Sequence, residues 1–149
     1  MSFYVVRAVS YSGEDTGEVA ARVAADIAAT VTPPKEVLIS LGTNNINASQ
    51  PTFEADYATI LDSMHAAWPT TRIFLTRSWR SGYDVGADTH AAAIAAVIAT
   101  RGGFAFEGPD ERVLLKGADN GICCTIDGIH ANAVGSAALA ADWFTRLGY

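Results

Sequence analysis

Asp127 and His130 stand three positions apart, directly before an Ala-rich stretch with helical periodicity. This spacing allows one short turn to hold a carboxylate beside an imidazole at the start of a helix. A carboxylate bonded to one ring nitrogen fixes the tautomer, so the other nitrogen can act as a general base. The alternative is an ordinary helix cap followed by a surface histidine, and the pair alone does not exclude it.

A second polar group follows an apolar segment far upstream. Gly42, Thr43, Asn44 and Asn45 come directly after residues 37–41, whose apolar character predicts a strand. The alternative for Asn44 is a turn residue that tolerates a left-handed backbone. Asn44 beside Asp127 and His130 favours catalysis, because catalytic roles are recognised from a constellation rather than from one motif.

Composition limits the classes of partner. The chain has 149 residues, which we expect to form one domain over 1–149 with a full core. Its net charge of −6, without a Lys/Arg cluster, argues against nucleic acid and anionic membrane. No apolar run reaches the roughly 20 residues that span a bilayer, and the amino terminus lacks a signal-peptide pattern. We therefore predict a soluble protein and assign no compartment.

The remaining cysteine and histidine residues do not predict a cofactor. Cys123 and Cys124 are adjacent, and such pairs rarely form a disulfide because the required geometry strains the backbone. They also lack metal-ligand spacing, so free thiols are expected. His65 and His90 fall in predicted helices without partner ligands and are interpreted as exposed or half-buried structural residues. With no glycine-rich phosphate loop either, neither a metal nor a cofactor is expected.

Strand and helix patterns alternate along the chain. Predicted strands cover 3–9, 37–41, 72–76 and 104–106, with helices between them and after position 133, while 107–126 are the least regular residues. The second strand is predicted to be buried on both faces. The last helix is predicted to pack along Val134, Ala137, Ala138, Ala141 and Phe144. The alternation predicts a parallel sheet between helical layers, an α/β three-layer sandwich.

Polar clusters follow the ends of these strands. They lie around Ser10 to Gly13, Asn44 and Ser78, and Trp79 and Tyr83 are predicted to line a pocket wall. Since ligands bind outside the carboxyl ends of parallel strands, we expect these segments to form one site.

These residues resemble the SGNH (GDSL-type) hydrolase family, a flavodoxin-like set of esterases and lipases. Residues 37–45 are similar to the family strand that ends in Gly-x-Asn-Asp, and residues 127–130 to its Asp-x-x-His motif. Residues 10–23 resemble the segment that carries the oxyanion-hole glycine, for which Ser12 and Gly13 are the candidates. The resemblance extends over nearly the whole chain and implies the family's three-layer sandwich.

The resemblance implies a carboxylic-ester hydrolase with a Ser-His-Asp mechanism. His130 would be the general base and Asp127 its orienting carboxylate, while Asn44 and a backbone amide near Gly13 would stabilise the oxyanion. A small ester, such as an acetylated carbohydrate, is the expected substrate. Its expected contacts are Gly42, Thr43, Ser78, Trp79 and Tyr83.

Two departures from the family pattern matter. Asn45 replaces the final Asp of Gly-x-Asn-Asp, and no Gly-Asp-Ser block, which carries the nucleophilic serine, occurs in the chain. The family's first strand would then be missing or replaced. Residues 4–9 would move into its place and bring Ser10 or Ser12 to the nucleophile position, or another chain would supply the strand in a homo-oligomer, or the chain is a fragment. Ordinary turn serines are the alternative reading of Ser10 and Ser12.

A non-catalytic function is the alternative to the esterase. A catalytically impaired fragment or ligand-binding module would keep the pocket without the chemistry, and the missing serine block favours it. The retention of Asp127, His130 and Asn44 favours the enzyme, because binding alone does not require all three.

Overall fold

The computed structural model describes residues 13–45, 47–116 and 121–148, so the predicted strand at 3–9 and both Ser10 and Ser12 lie outside the described residues. The described part contains a parallel three-stranded sheet in the order β1-β2-β3. Its strands are β1 (Glu36–Ile39), β2 (Arg72–Arg77) and β3 (Ala105–Asp110). Its helices are α1 (Thr16–Ala28), α2 (Gln50–Ala67), α3 (Asp84–Arg101), α4 (Glu111–Leu114) and α5 (Ala133–Leu147). The predicted α/β class with a parallel sheet is confirmed.

The sheet has one helical layer on each side. Ile39, Ile73 and Leu75 face the main core, where they pack with apolar side chains of α1, α2 and α3. On the other side, the ring of Trp143 on α5 meets Phe74 edge-on, with 6.4 Å between centroids. Because successive side chains of a strand point to opposite faces of the sheet, each strand contacts both helical layers.

Two expectations about burial are wrong. Leu38 is 47% exposed, because it lies on the same face as its register partner Phe74, and on this face α5 packs mainly against β3, at the other edge of the sheet. On α5, Val134 and Phe144 are 61% and 62% exposed, whereas the sequence predicted that they would be buried against the protein. The side of α5 that contains Gly135 faces the protein, since a Cβ there would lie 2.2 Å from the Cys124 carbonyl oxygen. This close contact of the helix backbone sets the rotation of α5.

Residues 107–116, the described first half of the stretch expected to be least regular, are more regular than predicted. β3 continues to Asp110, with an irregular register opposite Leu75 and Arg77, and the single turn of α4 follows at once. Gly108 allows this extension, because a Cβ there would lie 2.8 Å from the Leu75 carbonyl. Of the two adjacent cysteines, Cys123 is exposed and Cys124 is buried. Among the described residues, no helix has the length and apolar character needed to cross a membrane.

The buried Asn45 side chain joins the loop after β1 to the start of α1. Its Oδ1 accepts from the Thr16 backbone N–H at 3.0 Å, and its Nδ2 donates to Thr16 Oγ1 at 2.9 Å. The Thr16 hydroxyl donates its own proton to Asp56 at 2.7 Å. An aspartate at position 45 would have no proton for Thr16 and would add a negative charge near Asp56, so the amide suits this position better than a carboxylate.

We expect Asn45→Asp to lower the free energy of unfolding by roughly 1–3 kcal/mol at pH 7, because a buried acceptor loses its donor. Urea denaturation measures the change, and Asn47→Asp, on an exposed side chain of the same loop, is the matched control. Equal stability of the Asn45→Asp variant and the parent at pH 7 would contradict this account.

Glu111 joins the ends of the strands from inside the protein. Its Oε2 accepts from the Trp79 backbone N–H at 3.1 Å, after β2, and its Oε1 from the Ser40 hydroxyl at 3.2 Å, after β1. The side chain is 9% exposed, and this burial raises the pKa of the carboxyl group, although both hydrogen bonds oppose the rise. Glu111 is thus a buried carboxylate held by neutral donors.

The raised pKa of Glu111 predicts a pH dependence of stability. Between the ordinary pKa of 4.5 and the higher folded value, the folded state keeps a proton that the unfolded chain has lost. The free energy of unfolding therefore falls as the pH rises through this window, and Glu111→Gln removes this contribution. Urea titrations from pH 4 upward should show the parent losing stability relative to the variant; a constant difference contradicts the prediction.

Candidate active site

The loops after the strands meet at one edge of the sheet. Gly42, after β1, lies against Ser78, after β2: a Cβ on Gly42 would be 2.3 Å from the serine Oγ. The turn that carries Asp127 and His130 reaches the same loop, because the Ser81 backbone N–H donates to the Gly128 carbonyl at 2.9 Å. The convergence of strand ends expected from the parallel topology is therefore present in the described residues.

Asp127 organises the turn and also contacts the imidazole. Its Oδ1 accepts from the backbone N–H groups of Ile129 at 3.0 Å and His130 at 2.8 Å, while its Oδ2 lies 2.7 Å from His130 Nδ1. The His130 backbone N–H, then the His130 ring, lower the pKa of Asp127 to about 2. Because the carboxylate is ionised, it places the imidazole proton on Nδ1 and leaves Nε2 as the basic nitrogen. The side chains of His130 and Asp127 are 73% and 48% exposed.

Polar side chains on both sides hold this turn at the start of α5. Thr125 Oγ1 accepts from the Gly128 N–H at 3.0 Å and donates to the Gly121 carbonyl at 2.7 Å. Asn132 caps α5, where its Oδ1 accepts from two backbone N–H groups, and its Nδ2 donates to the Cys123 carbonyl at 2.9 Å. Gly128, at φ +80°, has the left-handed backbone conformation that the turn needs.

The two predicted oxyanion donors are neighbours. Asn44 is exposed, and its Nδ2 donates to the carbonyl of Glu14, the residue after Gly13, at 2.9 Å. Gly13 itself is exposed with φ +86°. One Nδ2 proton of Asn44 holds the two loops together, and the amide carries a second proton. Their role as an oxyanion hole stays a prediction.

All five residues predicted to contact substrate line one cavity: Gly42, Thr43, Ser78, Trp79 and Tyr83. Trp79 is 1% exposed, and its Nε1 donates to Asp84 Oδ1 at 3.0 Å, so the ring forms the buried wall. Tyr83 is 40% exposed, with the Arg80 guanidinium 5.0 Å from its ring centroid, and lies at the surface end.

His90 was interpreted from the sequence as an exposed or half-buried structural residue, and this interpretation of its environment is wrong. The residue is 3% exposed, stacks on Phe53 with 4.1 Å between ring centroids, and lines the same cavity as Ser78. Its position is set by the packing of α3 against α2, which no local motif reports. Within the described ranges, no group of three or more His, Cys, Asp or Glu side chains is arranged to hold a metal ion.

The fold is similar to those of several solved structures, two of which are named as esterases. An acetyl esterase mutant with acetate ion matches with a TM-score of 0.76 and 20% identity, over 92% of this chain and 68% of that one. A carbohydrate esterase family 3 protein from Talaromyces cellulolyticus matches with a TM-score of 0.74 and 23% identity, over 92% and 68%. TesA matches with a TM-score of 0.70 and 20% identity, over 90% and 73%.

At these identities the likeness shows a shared fold, and the chain spans about two thirds of the length of the first two structures. No curated protein sequence matches the chain. The sequence does match the sequence model of one protein family over residues 2–138, which is most of its length. With the α/β fold and the Asp127–His130 turn in place, this match shows that the chain belongs to the GDSL-like lipase/acylhydrolase family.

Proposed function

We propose that the protein hydrolyses carboxylic esters, with His130 as the general base and Asp127 as the carboxylate that orients it. The observation that carries this proposal is the 2.7 Å contact between Asp127 Oδ2 and His130 Nδ1. It directs the lone pair of Nε2 away from the carboxylate, and the exposed imidazole is accessible to a substrate at the edge of the sheet. The family membership supports the same chemistry.

The proposed reaction is acyl transfer through a tetrahedral intermediate. His130 Nε2 takes the proton of an attacking hydroxyl group while the hydroxyl oxygen forms a bond to the acyl carbon. The carbon–oxygen double bond becomes a single bond, and the negative charge moves to the former carbonyl oxygen. Asn44 Nδ2 and a backbone N–H near Gly13 stabilise that charge. The intermediate then expels the alcohol, which takes the proton from the imidazolium. With a serine nucleophile, water releases the acyl group in a second round of the same steps.

We consider three sources for the attacking oxygen. Ser10 and Ser12 are the candidates in this chain, and a serine from another chain or from a preceding segment is the second possibility. Water activated directly by His130 is the third and should be orders of magnitude slower, since loss of a triad member leaves weak catalysis. The expected substrate is a small ester such as an acetylated carbohydrate, in keeping with the acetyl and carbohydrate esterases that share the fold.

We expect His130→Ala and Asp127→Asn each to lower kcat/KM for p-nitrophenyl acetate by roughly 10²–10⁴-fold, because the first removes the base and the second its orientation. The pKa of Asp127 of about 2 means that the carboxylate is ionised throughout the neutral range, so titration of Asp127 itself adds no pH dependence to the activity there. Ethyl acetate, whose poor leaving group resists adventitious attack by imidazole, is the control substrate. Unchanged hydrolysis of both esters by His130→Ala would overturn the proposal.

Ser10→Ala and Ser12→Ala in the same assay test the nucleophile. We expect one of them to abolish turnover if this chain supplies the serine, because the acyl-enzyme cannot form. Full activity in both variants would contradict a nucleophile at either position and assign it to another chain, a preceding segment or water.

We expect Asn44→Ala to lower kcat by roughly 10²–10³-fold with little change in KM, since an oxyanion donor acts in the transition state rather than in substrate binding. Steady-state kinetics on p-nitrophenyl acetate separate the two constants. A raised KM at constant kcat would instead place Asn44 in ground-state binding.

A ligand-binding module without catalysis is the second candidate. The hydrogen bond from Asn44 Nδ2 to the Glu14 carbonyl favours it, because one proton of the amide is already engaged. Saturable binding of an ester without turnover would support this function over the first.

A further inference from the structure

We propose that the cavity between Ser78 and His90 binds one hydroxyl group of the alcohol part of the substrate, which makes the protein selective for esters of polyols and sugars. This inference rests on the proposed ester hydrolysis and adds two residues that determine its specificity.

Two buried polar atoms point to a ligand. Ser78 and His90 are 2% and 3% exposed, and neither Ser78 Oγ nor His90 Nε2 has a hydrogen-bonding partner in the described part of the chain. Both residues line the same cavity. A buried polar atom without a partner is destabilising, so a group that bonds to both atoms recovers this cost on binding.

The chemistry of the two atoms selects a hydroxyl. Burial lowers the pKa of the His90 ring and outweighs the opposing effect of a hydrogen bond between the imidazole and the backbone of Asn45. The ring is therefore neutral at pH 7. With the proton on the nitrogen that faces Asn45, Nε2 is a hydrogen-bond acceptor. Ser78 Oγ can both donate and accept. A ligand hydroxyl fits this pair, since it donates to Nε2 and accepts from the serine.

The size of the cavity agrees with a single hydroxyl. The volume available to the centre of a water molecule is ≈ 10 Å³, which is about the space of one water-sized group. Gly42 is needed for this space, because a Cβ there would lie 2.3 Å from Ser78 Oγ and 3.0 Å from the Phe53 ring. An acyl methyl group in the same place would leave both polar atoms unpaired, which favours the alcohol side of the ester over the acyl side.

A neighbouring groove can hold the rest of a polyol. A depression of ≈ 470 Å³ adjoins the cavity and shares Tyr83 and Gly86 with it. Asn47, Asp84 and Thr89 supply polar groups along its lining. Binding sites for small molecules commonly have this range of volume, and a few placed polar groups fix the orientation of the ligand. One hydroxyl in the cavity and the remainder in the groove would orient a sugar ester at this edge.

The first test measures binding without requiring catalysis. The full chain is titrated with methyl β-D-xylopyranoside and, separately, with 2-methoxytetrahydropyran, which has the same ring and methoxy group but no hydroxyls. Calorimetric titration gives the affinity in every variant, and in the chains that keep His90 the ¹⁵N resonance of its Nε2 reports hydrogen bonding to that atom. We expect a saturable shift with the xyloside alone and at least tenfold weaker binding in Ser78→Ala and His90→Phe, a factor that corresponds to about 1.4 kcal/mol.

Two matched variants control for the loss of a buried polar group. Thr76→Val removes another buried hydroxyl without a partner among the described residues, and His65→Phe removes a histidine that stacks on Phe104 as His90 does on Phe53. Neither residue lines the cavity. Both controls should bind the xyloside like the parent. Equal binding of the two ring compounds, or equal loss in the controls, would overturn the proposal.

The second test compares the hydrolysis of glyceryl monoacetate with that of propyl acetate. Both esters have a three-carbon alcohol part, but only the glyceryl ester has free hydroxyl groups. We expect Ser78→Ala to raise the KM for the glyceryl ester about tenfold more than the KM for propyl acetate, since only the glyceryl ester loses a hydrogen-bonded group. Equal effects on both esters would overturn the subsite. Xyloside binding without turnover of either ester would support the subsite and reject the ester-hydrolase function.

Discussion

The buried carboxylate of Glu111 is the contact on which the arrangement of the site depends. Directly after β3, it accepts hydrogen bonds from Ser40 after β1 and from the Trp79 backbone after β2, so it joins the ends of all three described strands. Parallel pairing brings these ends to one edge, and the carboxylate holds the loops that leave them. Burial, which raises its pKa, also shields these hydrogen bonds from water.

The loops at this edge carry two kinds of polar group, one exposed to solvent and one buried. The Asp127–His130 pair stands in solvent on a turn held by Thr125, Asn132 and Ser81. The cavity behind Gly42 instead contains buried polar atoms. An exposed base suits proton transfer to a substrate that enters from water, while buried donors and acceptors suit selection, because leaving them unpaired is costly.

Asn45 shows how a departure from the family pattern follows from local hydrogen bonding. In this chain the residue binds both the backbone N–H and the hydroxyl of Thr16, whose own proton goes to Asp56. An amide can accept and donate in this position, and a carboxylate cannot. The substitution therefore gives no independent reason to regard the site as inactive.

The sequence by itself determined the order of the three described strands and of the helices α1, α2, α3 and α5, the α/β class and the Asp127–His130 pairing, because periodicity, capping residues and a three-residue spacing are local properties. It did not determine the outward rotation of Val134 and Phe144 or the exposure of Leu38, which depend on where α5 contacts the sheet. The burial of His90 beside Ser78 was decided by the tertiary structure as well. Each of these features arises from contacts between residues distant in sequence, and no pattern within one segment encodes such a contact.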